Sequence, residues 1–340
     1  MSNIGGPLPK VVIAHDIGDQ LLRRVREAFP SLPVLSCLAA ADLLREIVDA
    51  EVLLTKGLTH EALSAAQSLR WIQAGTAGVD GLLKYAQLRE GPIVLTNAGG
   101  VHGVPIAEQI LAMMLAFAIR LPTLFRAQTA HRNVSSKVIA DKFELHGQTL
   151  VVVGVGDIGR TLCQKAMALG MHVIGVRRSS APKPPWVHEM VTADALPVVL
   201  PRAQHLALCL PGTAVTHELI GHEQLALLPP HAYIYNVGRG AAIDQAALID
   251  ALASGTVAGA GLDVTTPEPP QDDSPLWDMH NVILCQHTSG SSPFNAERIT
   301  DLFIHNLDRY LCGDQLLNVI DKRLGYPPQQ SYSATSSSGG

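Results

Sequence analysis

The stretch Leu150-Val-Val-Val-Gly-Val-Gly-Asp-Ile-Gly159, followed by a helical run and then by Met171-His-Val-Ile-Gly-Val-Arg-Arg-Ser-Ser180, decides how this chain is read. Residues 150–153 are consecutive apolar residues, the pattern of a strand buried on both faces of a parallel sheet. Gly154, Gly156 and Gly159 then form G-x-G-x-x-G. In such a turn the first glycine makes the tight bend. The second lets the backbone approach a pyrophosphate, and the third lets helix and strand pack closely. Leu162, Ala166 and Leu169 continue at helical spacing, and Gly170 suits the position just past a helix end. A second strand is expected over residues 171–176. Strand, glycine turn, helix and strand together predict a dinucleotide site. Its pyrophosphate would sit at a helix N-terminus, against Gly154, Gly156, Asp157, Ile158 and Gly159.

The end of the second strand is where such a fold reads the adenosine ribose. An Asp or Glu there accepts from the 2′-hydroxyl of NAD. This chain has Arg177, Arg178 and Ser179 instead, with no acid nearby. Two guanidiniums and a hydroxyl suit a 2′-phosphate, which needs charge-assisted donors. NADP(H) is therefore the expected cofactor, with NAD(H) still open.

The chain has 340 residues, 47% hydrophobic and 16% charged, enough for a sizeable core and two domains. A net charge of −5 argues against a general nucleic-acid binder. Cys37, Cys163, Cys209, Cys285 and Cys312 are scattered, with no C-x-x-C. Neither a disulfide framework nor a metal site is expected, and reduced cytoplasmic thiols are the simpler reading. The N-terminus lacks the basic and apolar regions of a signal peptide. The longest apolar stretch, 104–119, contains Glu108 and Gln109, so no membrane span is expected.

Outward from the glycine motif, strands are expected at 11–14, 51–55, 69–73 and 93–96 before it. After it they are expected at 205–210, 232–236, 259–264 and 282–285. Helices are expected at 21–29, 41–50, 244–252 and 295–311. The strongest helical pattern is 105–120, where Ile106, Ile110, Met113, Met114 and Phe117 repeat at three and four after Pro105. Residues 121–146 are more polar and read as a connection. The fold class is α/β, with two doubly wound Rossmann-like domains. The tail from Pro327 is rich in Pro, Gln, Ser and Gly and is expected to be disordered.

Three polar residues follow separate strands of the second half: Arg239, Glu268 and His287. Loops at the carboxyl ends of strands line the ligand crevice in a doubly wound sheet. Hydride transfer to a 2-keto acid needs a cation for the carboxylate, which Arg supplies in bidentate form. It also needs an acid for the carbonyl oxygen, which His supplies when a carboxylate partners it.

Taken in order, these motifs make the chain resemble the D-isomer-specific 2-hydroxyacid dehydrogenases, a family that includes glyoxylate/hydroxypyruvate reductases. The resemblance runs from about residue 50 to about 325. It rests on Ala74-Gly-Thr-Ala-Gly-Val-Asp80, Asn97 with Ala107-Glu108, and Gly154 to Gly159. It rests also on Leu210-Pro-Gly-Thr with Thr216, Asn236 to Gly240, Gly261 to Glu268, and His287 to Gly290. It implies a substrate domain in two pieces, 1–100 and 291–326, flanking a nucleotide domain at 101–290. It implies that Arg239 binds the substrate carboxylate and keto oxygen, that His287 exchanges the proton, and that Glu268 holds the imidazole. Backbone N–H groups near Ala77 and Gly78 would grip the carboxylate. Asp263 would lie by the nicotinamide, and Cys209, Leu210, Pro211 and Thr216 would border the adenosine side. Cofactor contacts are further implied at Asn236, Val237, Gly238 and Gly290. The 105–120 helix resembles the one such enzymes use to form a homodimer.

Two positions depart from the family pattern. Gln286 stands where a proline usually precedes the histidine, and Asp157 stands where Arg or Asn is common. An acid beside a pyrophosphate is unhelpful unless it caps a helix and points away. Glu268 argues against formate dehydrogenase activity within the same superfamily. The function expected is NADP(H)-dependent reduction of a small 2-keto acid of the glyoxylate or hydroxypyruvate type, and the reverse. Two alternatives share the fold: a dinucleotide-sensing, corepressor-like binding protein, and a dehydrogenase of an unusual substrate such as phosphite.

Overall fold

The computed structural model describes residues 8–178 and 182–328. Ser179 and residues 329–340 of the tail lie outside the described residues. The chain divides into two compact units. One combines the residues up to His102 with those from Ser292 onward, and the other is Gly103–Ser291.

The first unit holds β1 (Val11–Ala14), β2 (Val34–Ser36), β3 (Val52–Thr55), β4 (Trp71–Ala74) and β5 (Val94–Thr96), in the order β2-β1-β3-β4-β5. All pairings are parallel. Successive residues of a strand face opposite sides, and both sides are covered. Val12, Leu53, Ile72 and Leu95 enter one core, while Val11, Ile13, Leu54 and Trp71 enter the other. The Asn295–Cys312 helix returns to this unit, burying Ile299, Leu302, Phe303 and Leu307 in the second core. Phe303 stacks on Trp71 with ring centroids 5.6 Å apart.

The second unit holds β6 (Thr149–Val153), β7 (His172–Arg177), β8 (Glu189–Thr192), β9 (His205–Leu208), β10 (Tyr233–Asn236), β11 (Gly259–Leu262) and β12 (Val282–Leu284). The order is β12-β11-β10-β9-β6-β7-β8, again all parallel. The apolar run 150–153 divides between two cores. Val151 and Val153 join one, and Leu150 and Val152 join the other with Leu162, Ala166, Ile110 and Met114. A strand covered on both faces has no polar face, which is why that run lacks alternation. β6 lies between β7 and β9, so strand order reverses there. A ligand crevice is expected outside the carboxyl ends at such a reversal.

Residues 121–146 are not a plain connection. They contain the helices Leu121–Thr129 and Ser135–Asp141. Each fully buries a single residue, Ala127 and Val138 respectively, so neither shows an apolar stripe in the sequence. Strands β2 and β8 also lie outside the expected set. Both sit at sheet edges, and β8 is only half-buried throughout. Among the described residues, no single helix is long and apolar enough to cross a membrane.

His205, at the start of β9, is completely buried. Its ring lies 2.7 Å from Gln148 Oε1 through Nε2 and 3.0 Å from the Tyr235 hydroxyl through Nδ1. Both contacts suit a neutral imidazole that donates to the amide oxygen and accepts from the phenol. Burial pushes its pKa down from 6.5 to about 3. The unfolded chain then binds the proton more tightly, so this residue's contribution to stability is complete above about pH 6.5. It declines on acidification toward pH 3, by about 1.4 kcal/mol per pH unit at most. Urea unfolding of wild type and His205→Gln at pH 7, 6 and 5 checks this. The variant is expected to be less stable at pH 7 and to show a shallower acid slope. An unchanged slope would remove His205 as the titrating group.

Candidate active site

The nucleotide end of the second unit is built at the reversal in strand order. Gly154 follows β6 with φ 93°, a left-handed conformation that favours glycine. A Cβ there would lie 2.6 Å from the Cys209 carbonyl oxygen, so the bend and the loop after β9 approach more closely than a side chain permits. Gly156 caps the Asp157–Ala168 helix, and Ile158 and Gly159 belong to its first turn. The cradle, the bend and the helix start match what a dinucleotide pyrophosphate needs. Arg177 ends β7 and Arg178 follows it. Cys209, Leu210 and Pro211 follow β9, and the Thr216 hydroxyl donates to the Pro211 carbonyl at 2.7 Å, folding that loop back on itself. Burial pushes the Cys209 thiol well up, which makes it unreactive. Asn236 ends β10; its Nδ2 donates to the Arg239 carbonyl at 2.9 Å and its Oδ1 accepts from the Gly238 amide at 3.1 Å. Val237 is thereby carried inside a tight curl.

Asp157 resolves its own misfit with the glycine motif. Its side chain is 8% exposed and is paired with Arg160 at 3.3 Å. The carboxylate also lies against Gly103, the first residue of the Gly103–Ala118 helix: a Cβ on Gly103 would be 2.3 Å from Oδ2. The positive end of a neighbouring helix therefore receives the charge.

The three candidate catalytic residues stand on neighbouring loops at the carboxyl edge of the same sheet. Arg239 follows β10, half-buried, with Nη1 donating to the Gly238 carbonyl at 2.8 Å. A Cβ on Gly240 would lie 2.0 Å from the Thr265 carbonyl oxygen, so this loop packs backbone to backbone on the one that leads to Glu268. Glu268 Oε1 and His287 Nδ1 are hydrogen-bonded. The pair is reachable from solvent, with side chains 40% and 55% exposed. With Nδ1 committed to the carboxylate, Nε2 is the ring nitrogen left for a substrate.

Asp263 is buried at the end of β11, but its carboxylate is engaged by the chain itself. Oδ1 accepts from the Thr288 and Ser289 amides at 2.9 and 3.1 Å, and the Ser289 hydroxyl donates to Oδ2. Gly290 closes that loop, half-buried. Thr288 and Ser289 escaped the sequence reading. A hydroxyl pair directly after a candidate catalytic histidine was the available signal, but nothing local ties it to an acid 25 residues upstream. Ala77 and Gly78 follow β4 in the other unit. The Thr76 hydroxyl donates to the Gly78 carbonyl at 2.7 Å, and Asn97 Nδ2 donates to the Ala77 carbonyl at 2.6 Å.

Comparison with known proteins places the chain in a family and its fold among solved structures. The family described as D-isomer specific 2-hydroxyacid dehydrogenase, NAD binding domain, matches residues 111–289. A glyoxylate/hydroxypyruvate reductase B from Pectobacterium atrosepticum is 31% identical over 324 residues, covering 93% of this chain and 99% of the relative. A D-isomer specific 2-hydroxyacid dehydrogenase family protein from Aeromonas salmonicida superposes with a TM-score of 0.83 at 29% identity, covering 93% of this chain and all of that one (100%). The D-isomer specific 2-hydroxyacid dehydrogenase of Xanthobacter autotrophicus Py2, solved with NADPH and MES, superposes with a TM-score of 0.81 at 28% identity. It covers 94% of this chain and 100% of its own.

Two substitutions test the placement of Asp157. Gly103→Ala is expected to destabilise the fold by about 1–3 kcal/mol, because the carboxylate has to move. Asp157→Asn is expected to cost about 1 kcal/mol and to leave the Kd for NADPH within about twofold. Thermal melts and cofactor fluorescence titration measure both. NADPH binding tightened tenfold in Asp157→Asn would put the carboxylate at the pyrophosphate instead.

Proposed function

The chain belongs to the D-isomer specific 2-hydroxyacid dehydrogenase family and is an NAD(P)-dependent enzyme, and from that premise we propose that it reduces a small 2-keto acid of the glyoxylate or hydroxypyruvate type to the D-2-hydroxy acid, with NADP(H) preferred over NAD(H). The observation that carries the reading is the Glu268–His287 pair at the carboxyl edge of the nucleotide unit, which leaves Nε2 free to serve a keto oxygen. Arg239, on the adjacent loop, holds the substrate carboxylate by paired N–H donors. His287 gives its Nε2 proton to the keto oxygen during reduction and recovers it during oxidation. Glu268 keeps the ring in one orientation and balances the charge of the imidazolium. The nicotinamide, when bound, supplies the reducing equivalent. Gly154, Gly156, Ile158 and Gly159 admit its pyrophosphate. The loops carrying Cys209, Leu210, Pro211, Thr216, Asn236, Val237, Gly238 and Gly290 border the rest of it.

The NADP(H) preference rests on Arg177 and Arg178 at the end of β7, with Ser179 next in sequence. It is supported by the NADPH bound in the Xanthobacter relative. A homodimer is the assembly we favour. Leu115, Ile119, Leu124 and Phe125 remain exposed along and just beyond the Gly103–Ala118 helix, an apolar surface suited to a second copy. Five cysteines with no disulfide among them suit a reducing compartment such as the cytoplasm.

A panel of 2-keto acids assayed with NADPH and NADH tests the reading. Turnover of glyoxylate or hydroxypyruvate with NADPH is expected, with kcat/KM for NADPH at least tenfold above NADH. Arg177→Ala and Arg178→Ala are each expected to raise KM for NADPH about tenfold and to leave NADH unaffected. His287→Ala is expected to lower kcat about a thousandfold, and Arg239→Ala to lower kcat/KM on the order of a hundredfold. Normal turnover by His287→Ala would defeat the mechanism. Dinucleotide binding without turnover of any keto acid would favour a sensor.

A further inference from the structure

The first unit buries a histidine that the reaction proposed above does not use. β1 lies between β2 and β3, so strand order reverses there as it does at β6. A ligand crevice is expected outside the carboxyl ends at such a reversal. Strand register fixes what borders it. Ala14 pairs with Thr55 and Thr55 with Ala74, so the next residues, His15, Lys56 and Gly75, leave the sheet side by side. The Gly75 amide donates to the Thr55 carbonyl at 2.8 Å, which carries the pairing one step beyond β4. Alternation puts all three on the face that buries Ile13, Leu54 and Trp71. The Cβ that Gly75 lacks would lie 3.0 Å from His15 Cδ2, 3.3 Å from His15 Nε2 and 3.5 Å from Lys56 Cγ. Imidazole and lysine stem therefore converge on the space that a side chain at position 75 would take.

His15 is 7% exposed, and among the described residues its Nε2 is buried with no hydrogen-bond partner. A buried imidazole that only packs finds partners for its nitrogens, as His205 does in Gln148 and Tyr235. Burial first, and the Lys56 charge after it, push the His15 pKa from 6.5 down to about 4, with Asp16 pulling the other way. The ring is thus neutral at pH 7 and has one N–H to donate. A directed N–H beside an ammonium suits an acceptor that carries negative charge on more than one oxygen.

We propose that His15 and Lys56 form a binding site for a small oxyanion, the carboxylate or phosphate group of a small acid, at the carboxyl end of the first sheet. His15 Nε2 donates to one oxygen and Lys56 Nζ to another. The site belongs to the first unit alone and does not rest on the reading under Proposed function. Lys56 by itself is an exposed, solvated charge. The fixed donor beside it is what makes the pair a site. A bound anion also favours the imidazolium, so it raises the His15 pKa, and affinity grows as pH falls from 7 toward 5. Lys56 and Asp16 are the charged groups that act on the ring, and histidine is the side chain whose ordinary range lies closest to that window.

The test is a titration that needs no turnover. The full chain, carrying 15N-labelled histidine, is titrated with sodium sulfate, whose charge is constant over the pH range used. Sodium chloride at matched ionic strength controls for screening. The His15 ring resonance, identified by its loss in His15→Leu, is expected to shift saturably with sulfate and to stay in place with chloride. Lys56→Met is expected to weaken sulfate binding at least about tenfold, the loss of one charge-assisted hydrogen bond. Lys56→Arg is expected to keep it within about threefold. Lys56 is exposed, so neither change touches a core. Wild type is expected to bind sulfate about tenfold more tightly at pH 5 than at pH 7. His15→Leu removes an unpaired buried nitrogen, so its melting temperature is expected to match or exceed that of wild type. Sulfate is expected to raise the melting temperature of wild type and not of this variant. Acetate in place of sulfate separates the two sources: tighter acetate assigns a carboxylate, tighter sulfate a phosphate. A His15 resonance unmoved by both anions would overturn the proposal, as would equal sulfate affinity in Lys56→Met and wild type. A clear drop in melting temperature in His15→Leu would return the ring to packing and overturn it as well.

Discussion

The crevice at the carboxyl end of the second unit depends on the parallel pairing of β6 with β9, Leu150 to His205 through Val153 to Leu208. That pairing joins the two halves of the sheet at the place where strand order reverses. Chains leaving the two strands turn apart, one into the glycine bend and the Asp157–Ala168 helix, the other into the loop of Cys209, Leu210 and Pro211. The crevice between them follows from topology, but its depth depends on backbone contact. Gly154 meets the Cys209 carbonyl closely enough to exclude a Cβ. The same kind of contact recurs one layer along, between Gly240 and Thr265. Loops packed without intervening side chains are stiff, and stiffness at this edge is what a hydride-transfer geometry requires.

The histidine is held by a different device. Its loop follows an edge strand, β12, whose residues are only half-buried. Rigidity there comes from Asp263, which lies at the end of the neighbouring strand and is 2% exposed. Its carboxylate accepts two backbone amides and a hydroxyl. A buried carboxylate is tolerated only when such donors replace its water. The acid that holds the loop is thus also dependent on it, which couples the end of β11 to the presentation of His287. Asp157 uses the same principle elsewhere. Its charge is balanced by Arg160 and by the start of the Gly103–Ala118 helix, so the glycine motif accommodates a buried acid.

Much of this was legible residue by residue. The apolar run 150–153, the three glycines after it, and the i, i+3, i+4 pattern of Ile106, Ile110, Met113, Met114 and Phe117 are local signals of local structure, and each produced the expected element. The Leu121–Thr129 and Ser135–Asp141 helices were hidden because each buries one residue, and periodicity is visible only where burial repeats. At the site, Arg239, Glu268 and His287 could be nominated because each follows a strand in a doubly wound pattern. The hydrogen bond between the last two spans 19 positions, and no local pattern records it.

From the sequence came the class of fold, and from it came the nomination of a glycine bend and of three side chains with suitable chemistry as candidates for the site. These are properties of short segments: hydrophobic runs choose strands, glycine spacing chooses a bend, and a guanidinium, a carboxylate and an imidazole each bring their own chemistry. Only the tertiary structure decided where charge and direction end up. It set Asp157 against Arg160 and against the start of a helix absent from its own motif. It spent Asp263 on holding a loop, and it placed Gln286 and His287 in a left-handed turn that neither residue favours. The physical reason is the same in each case. A carboxylate is stabilised by whichever donors packing brings within hydrogen-bond reach, and a backbone is held in an unfavoured conformation by contacts made from other strands. Both are set by distances between residues far apart in the chain.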